Sequence, residues 1–70
     1  MRYRFDGQEL QRRRVAAGKD PAALAADVCR SAEAVRGYER GSHFPPVRVL
    51  VALCAELGCQ PADLFVAADE

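Results

Sequence analysis

Apolar residues recur at helical spacing along most of the chain, and residues that begin or end helices separate the apolar runs. A first helix is predicted from Gly7 to about Ala17, with Gly18 as its stop. Its N-terminus is indicated by Asp6 and Glu9, which have the spacing of a capping box, and by Phe5 at the position of a hydrophobic staple. The residues predicted to face inward from this helix are Leu10, Arg14 and Ala17.

Two shorter helical patterns lie between Asp20 and Gly41 and are joined by about three residues. The first begins at Asp20-Pro21, because aspartate caps a first turn and proline lacks an N–H that this turn can spare. The second begins at Ser31 and ends at Gly41. Helices this short and closely joined must cross steeply, which leaves one face of the second helix free to enter a groove. The predicted buried faces consist of Leu24, Ala25 and Val28 in the first helix and Val35 and Tyr38 in the second.

The remaining pattern predicts a fourth helix from about Pro46 to Leu57, with Gly58 as its C-cap. Gln60-Pro61 then opens a last short helix through Phe65, and Val66 to Glu70 has no pattern and is predicted to fray. No segment alternates strongly enough to predict a strand, although Arg2 to Phe5 can pair as one. The inward stripe of the fourth helix is predicted to consist of Val49, Leu50, Leu53, Cys54 and Leu57. We therefore expect an all-α chain of four to five helices in one domain over residues 1–70, with an ordered core of about residues 6–66.

The two crossed helices resemble the helix-turn-helix of the Cro and phage-repressor family, also called the xenobiotic-response-element (XRE) family. The residues that carry the resemblance are Leu24-Ala25, Ser31 through Val35, and the closing Tyr38-Glu39-Arg40-Gly41. A proline follows within five residues, and the likeness covers roughly residues 7–65. The resemblance implies a compact lambda-repressor-like domain with a central helix-turn-helix, and a small transcriptional regulator that binds operator DNA.

The resemblance also implies how the chain is held together and where it departs from its relatives. A buried Arg14 needs a partner, since an unpaired interior charge costs several kcal/mol, and the family suggests Glu39. Relatives usually have glycine at the turn position of Cys29, so a positive φ there would cost on the order of 1 kcal/mol. Relatives also place a phosphate-binding glutamine where this chain has Pro21, and Asp20 adds a negative charge beside it.

If the second helix of the pair lies in the major groove, its outward face supplies the base-reading residues. Arg36 can donate two hydrogen bonds to guanine, Glu33 can accept one from cytosine, and the Ala32 methyl can touch thymine. The alternative for Glu33 and Arg36 is a surface ion pair worth a few tenths of a kcal/mol. Gly37 either permits close approach or weakens the helix by roughly 1 kcal/mol. The full set of predicted base-reading residues is Ala32, Glu33, Arg36, Gly37 and Arg40.

Phosphate contacts are predicted from basic and polar side chains around that helix. The net charge is zero, but residues 1–48 carry ten basic and six acidic residues, a charge of +4, and residues 49–70 carry −4. A neutral protein with one basic side can still hold a phosphate backbone, and the alternative is an ordinary solvated surface. The predicted phosphate-binding residues are Arg12, Arg13, Lys19, Arg30, Ser42 and His43.

The residues give little support for disulfides, a metal site or an enzyme. Three cysteines and no export signal argue against a disulfide framework, and zinc is disfavoured because there is no C-x-x-C pair. Neither a cofactor nor a metal is therefore expected, and Cys29, Cys54 and Cys59 are predicted to be small apolar residues that are buried or half-buried. An enzyme is not expected, since His43 is the single histidine and no glycine-rich phosphate loop is present.

We therefore expect a sequence-specific regulator, a repressor, that binds double-stranded DNA in the cytoplasm. No apolar run of 18 residues is available to span a membrane, the N-terminus has no signal-peptide core, and no small-molecule ligand is expected. One such module reads only a few base pairs, so a homodimer on DNA is predicted, with Leu64, Phe65 and Val66 as dimer surface or plain core. The alternative is a protein-interaction module of the same fold, either an antitoxin or an accessory factor that binds another regulator.

Overall fold

The computed structural model describes residues 2–68, in which four α-helices pack around one core and the two ends of the chain form a small sheet. This confirms the expected fold class. The elements in chain order are β1 Arg2–Phe5, α1 Gly7–Ala16, α2 Pro21–Asp27, α3 Ala32–Arg40, α4 Val47–Leu57, a 3₁₀ helix Pro61–Leu64, and β2 Phe65–Ala68.

Helix ends fall where the capping residues predict them. The Asp20 carboxylate accepts a hydrogen bond from the Ala23 N–H at 2.8 Å, and the Ser31 hydroxyl accepts one from the Ala34 N–H at 3.1 Å. At the other ends, Gly41 after α3 and Gly58 after α4 have φ of 83° and 67°. Glycine adopts this left-handed conformation without the steric cost of a Cβ, so local sequence alone sets these boundaries.

Only one of the two hydrogen bonds of the capping box predicted for α1 is formed. The Asp6 carboxylate accepts a hydrogen bond from the Glu9 N–H at 3.1 Å, as predicted. The reciprocal bond is replaced, because the Asp6 N–H donates to the Leu64 carbonyl at 2.7 Å. Glu9 is therefore free to pair with arginines on its own helix.

The core consists of the apolar faces that helical spacing predicts, and all five predicted residues of α2 and α3 are buried there. Ala17, however, is exposed, because α1 ends at Ala16 and Ala17 is its C-cap. The prediction that Ala17 faces inward is therefore wrong. The side chains with essentially no exposure are Leu10, Leu24, Val35, Leu53 and Leu64.

The predicted fraying of the chain after Phe65 is wrong for residues 66–68. β2 pairs antiparallel with β1, in a register that sets Arg2 opposite Ala68 and Phe5 opposite Phe65. The two phenyl rings meet edge to face, with centroids 5.7 Å apart. Asp69 and Glu70 lie outside the described residues. Local periodicity could not show this pairing, because each strand has four residues and its partner lies at the other end of the chain.

Candidate nucleic-acid interface

A tight turn sets the crossing of α2 and α3. Cys29 in this turn has φ of 59° and is the single non-glycine residue with positive φ among residues 2–68. The Arg30 N–H donates to the Ala25 carbonyl at 2.8 Å, which closes the end of α2. The prediction that Cys29 occupies a glycine-like turn position is confirmed, and the conformation costs on the order of 1 kcal/mol. The prediction that Cys29 is buried or half-buried is wrong, because the turn leaves its side chain exposed, whereas Cys54 is buried and Cys59 half-buried.

A buried ion pair ties α1 to α3. Arg14 Nε lies 2.6 Å from Glu39 Oε2, and Arg14 Nη2 lies 3.1 Å from Glu39 Oε1. The remaining nitrogen, Nη1, donates to the Lys19 carbonyl at 2.8 Å. The hydrogen bonds to Glu39 raise the pKa of Arg14 above its ordinary value. Both side chains are less than a tenth exposed, so the pair has the bidentate geometry and the burial of a structural contact.

Close backbone packing accompanies this pair. A Cβ added to Gly7 would collide with the carbonyl oxygens of Tyr38 and Glu39. The first turn of α1 therefore lies directly against the last turn of α3, and only glycine fits between them. One side of α3 thus packs against α1 and the core, while the other side faces solvent.

The outer side of α3 carries three exposed, charged side chains. Glu33 is 73% exposed, and Arg36 and Arg40 are each about half exposed. Arg40 Nη2 donates to Glu33 Oε2 at 3.3 Å, and Arg36 Nη1 lies 3.9 Å from Glu33 Oε1. These distances make long, exposed ion pairs that contribute little stability, so the arginines can exchange Glu33 for another acceptor. Ala32 begins this face and is half-buried.

Gly37 does not belong to the outer face, and its prediction as a base-reading residue is wrong. It is buried, because the loop after α3 folds back over it. The Ser42 N–H donates to the Gly37 carbonyl at 2.9 Å, and a Cβ on Gly37 would collide with the His43 ring. Gly37 therefore does permit close approach, but the group that approaches is the His43 imidazole, which lies at the edge of the α3 face.

A groove between α1 and α3 contains polar residues that sequence reasoning missed. Two adjoining cavities of about 300 and 660 Å³ meet at Gln11, Glu39 and Arg40. The long polar or cationic side chains that line them beyond these three are Arg4, Gln8, Arg14 and Arg36. Gly7, Gln11 and Arg14 recur at i, i+4 and i+7, and this spacing could have placed Gln11 on the face of α1 toward α3.

Arg12 and Arg13 lie elsewhere. They pair with Glu9 on another face of α1 and line a cleft with Leu57 at the end of α4. The hydrogen bond from Arg12 lowers the pKa of Glu9. Because helical residues advance by about 100°, residues adjacent to Gln11 and Arg14 in sequence point away from α3. The structure therefore separates Arg12 and Arg13 from the other predicted phosphate-binding residues.

The remaining predicted phosphate-binding residues surround the helix pair. Lys19 Nζ lies 2.7 Å from Asp27 Oδ2, and this hydrogen bond raises the pKa of Lys19. Arg30 is exposed in the turn before α3, and Ser42 and His43 are exposed in the loop after it. The structure thus brings Arg30, Ser42 and His43 to the two ends of α3.

The described part of the chain gives no support for a metal site or a membrane span. Residues 2–68 contain no group of three or more histidine, cysteine or acidic side chains able to hold a metal ion. The same residues form no helix with the length and apolar character needed to cross a membrane. Burial raises the pKa of the Cys54 thiol to about 11, so this thiol is protonated near neutral pH.

Comparison with known proteins adds to this geometry. A family model described as a helix-turn-helix domain matches residues 7–65. The P22 c2 repressor protein, solved in complex with a synthetic operator, is similar with a TM-score of 0.83 and 31% identity, covering 87% of this chain and 92% of that one. The restriction-modification controller protein C.AhdI from Aeromonas hydrophila is similar with a TM-score of 0.76 and 29% identity, covering 83% and 88%.

One similar structure is an enzyme. Hydroxypropylphosphonic acid epoxidase from S. wedmorenis has a TM-score of 0.78 and 26% identity, and the match covers 90% of this chain but 34% of the epoxidase. No curated protein matches the chain significantly. The same fold therefore occurs both as most of a small protein and as one part of a larger one.

Proposed function

The chain belongs to the helix-turn-helix domain family of the Cro and phage-repressor type, and we propose that it is a small sequence-specific DNA-binding transcriptional regulator. In this proposal α3 lies in the major groove, and the protein acts as a repressor in the cytoplasm, without enzymatic activity. Two similar structures whose own chains are mostly covered by the match, a repressor with its operator and a controller protein, support this assignment.

The observation that carries the proposal is the division of α3 into a held side and an exposed side. The core and the Arg14–Glu39 pair hold one side, so the helix is presented as a rigid body. The other side carries Glu33, Arg36 and Arg40, whose side chains are long enough to reach base edges. Pre-positioned donors of this kind favour direct readout of a major groove, which admits one α-helix.

We assign a DNA contact to each residue on the outer side of α3 and to Gln11 of α1. Arg36 donates two hydrogen bonds to guanine O6 and N7, and Glu33 accepts one from the cytosine N4 amine. The half-buried Ala32 methyl touches a thymine methyl, and Arg40 reaches the strand at the far end of α3. Gln11 joins Arg40 as a strand contact, because both line the groove between α1 and α3.

We propose that two copies bind adjacent half-sites. Leu64 is fully buried, so the prediction of a dimer surface at the end of the chain reduces to Phe65 and Val66, and Phe65 packs on Phe5. A more exposed apolar stripe runs along Phe44, Val47 and Val51, each more than half exposed. This stripe begins in the loop after α3, beside the DNA-facing side, which is where copies on neighbouring half-sites would meet.

The proposal is tested by selecting bound duplexes from a random pool and then measuring affinities for the enriched sequence. Arg36→Ala should weaken binding of that sequence by about 1–3 kcal/mol and relax selection at one base pair. Arg12→Ala, on the face of α1 away from α3, is the matched control and should retain wild-type selectivity. Equal losses on enriched and random DNA for Arg36→Ala would contradict the reading role, and an enriched motif without two-fold symmetry would contradict the dimer.

A protein-interaction module is the second candidate. The zero net charge and the pairing of Glu33 with both outer arginines favour it, because each lowers the attraction for a polyanion. A DNA-binding chain should lose affinity for random duplex steeply as salt rises. Negligible binding at low salt, together with no enriched sequence, would favour the interaction module instead.

A further inference from the structure

Two arginines near the turn between α2 and α3 have no acidic partner. Among residues 2–68, Arg30 and Arg48 form no ion pair, whereas six other basic side chains of the helices and their connections do. Both arginines are exposed, and both line one surface cleft of about 290 Å³. The other residues that line this cleft are Val28, Cys29, Val49 and Ala52. Nothing in the described chain neutralises these two charges.

The position of each arginine is also unfavourable for the helix next to it. Arg48 is the second residue of α4, whose first turn contains no acidic residue and whose N-cap, Pro46, forms no side-chain hydrogen bond. Arg30 directly precedes Ser31, the N-cap of α3. A cation near a helix N-terminus repels the partial positive charge there. An external anion in the cleft would remove both repulsions.

The cleft lies at the end of α3 where the phosphate backbone of one strand would pass if α3 occupied a major groove. Arg40 lies at the C-terminal end of α3, and Arg30 and Arg48 flank the cleft at its N-terminal end. A helix in the groove would therefore carry basic side chains at both ends, toward the two strands.

We propose that the cleft between the α2–α3 turn and α4 binds the phosphodiester backbone of duplex DNA through Arg30 and Arg48. This inference rests on the proposed function and assigns one strand contact of the complex. The cleft walls are apolar apart from the two guanidinium groups and the Cys29 thiol, so it holds a strand by charge and does not read bases.

The first test is the salt dependence of binding to a random-sequence duplex. Each phosphate contact contributes about 0.9 to the slope of log affinity against log salt, or about a threefold fall between 50 and 200 mM. Arg30→Gln and Arg48→Gln should each lower the slope by about 1, and the double variant by about 2. Arg12→Gln, which removes an arginine paired with Glu9, is the control and should leave the slope unchanged. Unfolding midpoints should stay at or slightly above that of the wild type, because each substitution removes an exposed charge that repels a neighbouring helix N-terminus.

The second test uses Cys29 as a reporter, since it lines the cleft and is exposed, while Cys54 is buried and Cys59 half-buried. Bound duplex should slow alkylation of Cys29 by iodoacetamide at least severalfold, with mass spectrometry to locate the label. The inference is overturned if wild-type protein binds random duplex, Arg30→Gln and Arg48→Gln keep its salt slope, and bound duplex does not slow alkylation of Cys29. Absence of DNA binding by the wild type would instead overturn the proposed function itself, so the two failures are distinguishable.

Discussion

Each side of α3 has a glutamate that pairs with arginine, but the two sides differ in how far these charges are buried. On the held side, Arg14 and Glu39 form a bidentate pair that is almost fully buried. On the outer side, Glu33 faces two arginines at 3.3 and 3.9 Å, and all three side chains are at least half exposed. Burial decides the difference, because a buried charge cannot exchange its partner for water, whereas an exposed one can.

This contrast indicates which arginines stabilise the fold and which are available to a ligand. The identity of the residue does not distinguish them, since arginines at 14 and 36 have the same chemistry. Solvent access does, and so does the supply of acceptors in the surrounding chain. Arg30 and Arg48 extend the contrast, because they lack even an exposed acidic partner within residues 2–68.

The largest expected effect is on the held side. Glu39→Gln should lower the free energy of unfolding by about 3–5 kcal/mol, because it leaves the Arg14 charge buried without a counter-ion. Urea unfolding followed by circular dichroism measures this loss. If the variant does not fold, Arg14→Met combined with Glu39→Leu should recover a folded protein, since replacing both charges removes the uncompensated one. Unchanged stability in Glu39→Gln would show that the pair is not structural.

A smaller loss is expected where α1 touches α3 through backbone. Gly7→Ala should destabilise the fold by about 1–3 kcal/mol, because the new methyl group meets the carbonyl oxygens of Tyr38 and Glu39 and must push the helices apart. Gln8→Ala, at an exposed position of the same helix, is the control and should change the unfolding midpoint little. Similar midpoints for the two variants would mean that the contact between α1 and α3 tolerates expansion.

On the outer side, the effect on stability should be small while the effect on DNA binding is not. Glu33→Gln should change the free energy of unfolding by less than about 0.5 kcal/mol, because its ion pairs are exposed. Affinity for random duplex should rise, since the substitution removes a negative charge and releases Arg36 and Arg40. Fluorescence anisotropy with a labelled duplex measures this change. Weaker binding to random DNA would mean that Glu33 positions the arginines for the phosphates.

The smallest effect concerns the exposed Glu9 pair on α1. The hydrogen bond from Arg12 lowers the pKa of Glu9 below its ordinary 4.5, so the pair stabilises the fold above that pH. The contribution disappears as pH falls through the lowered pKa, when the folded carboxylate takes up its proton. Glu9→Gln should therefore flatten the loss of stability below about pH 4.5, as measured by thermal unfolding. The difference from the wild type should shrink at about 1 M salt, where exposed pairs are screened.

The helices and much of α3 could be predicted from the sequence, because their signals are local. The side chains of Asp20 and Ser31 accept hydrogen bonds from backbone N–H groups three residues on, and Gly41 ends α3 with a positive φ. These roles are local, so they can be predicted without knowledge of the rest of the fold. The apolar spacing of α2 and α3 likewise decided which faces are buried. The exposure of Glu33 and Arg36 followed from it, since the other face was occupied.

What the sequence could not decide depends on distant residues meeting. β1 and β2 pair although they lie at opposite ends of the described residues, and the Asp6 N–H donates to the Leu64 carbonyl in place of its local partner. Arg30 and Arg48 share a cleft only because α4 returns to the α2–α3 turn. Capping and helical periodicity act over a few residues and can be read in order along the chain. Strand pairing, the cover over Gly37 and the meeting of Arg30 with Arg48 are set by tertiary packing, which brings together groups that no local pattern connects.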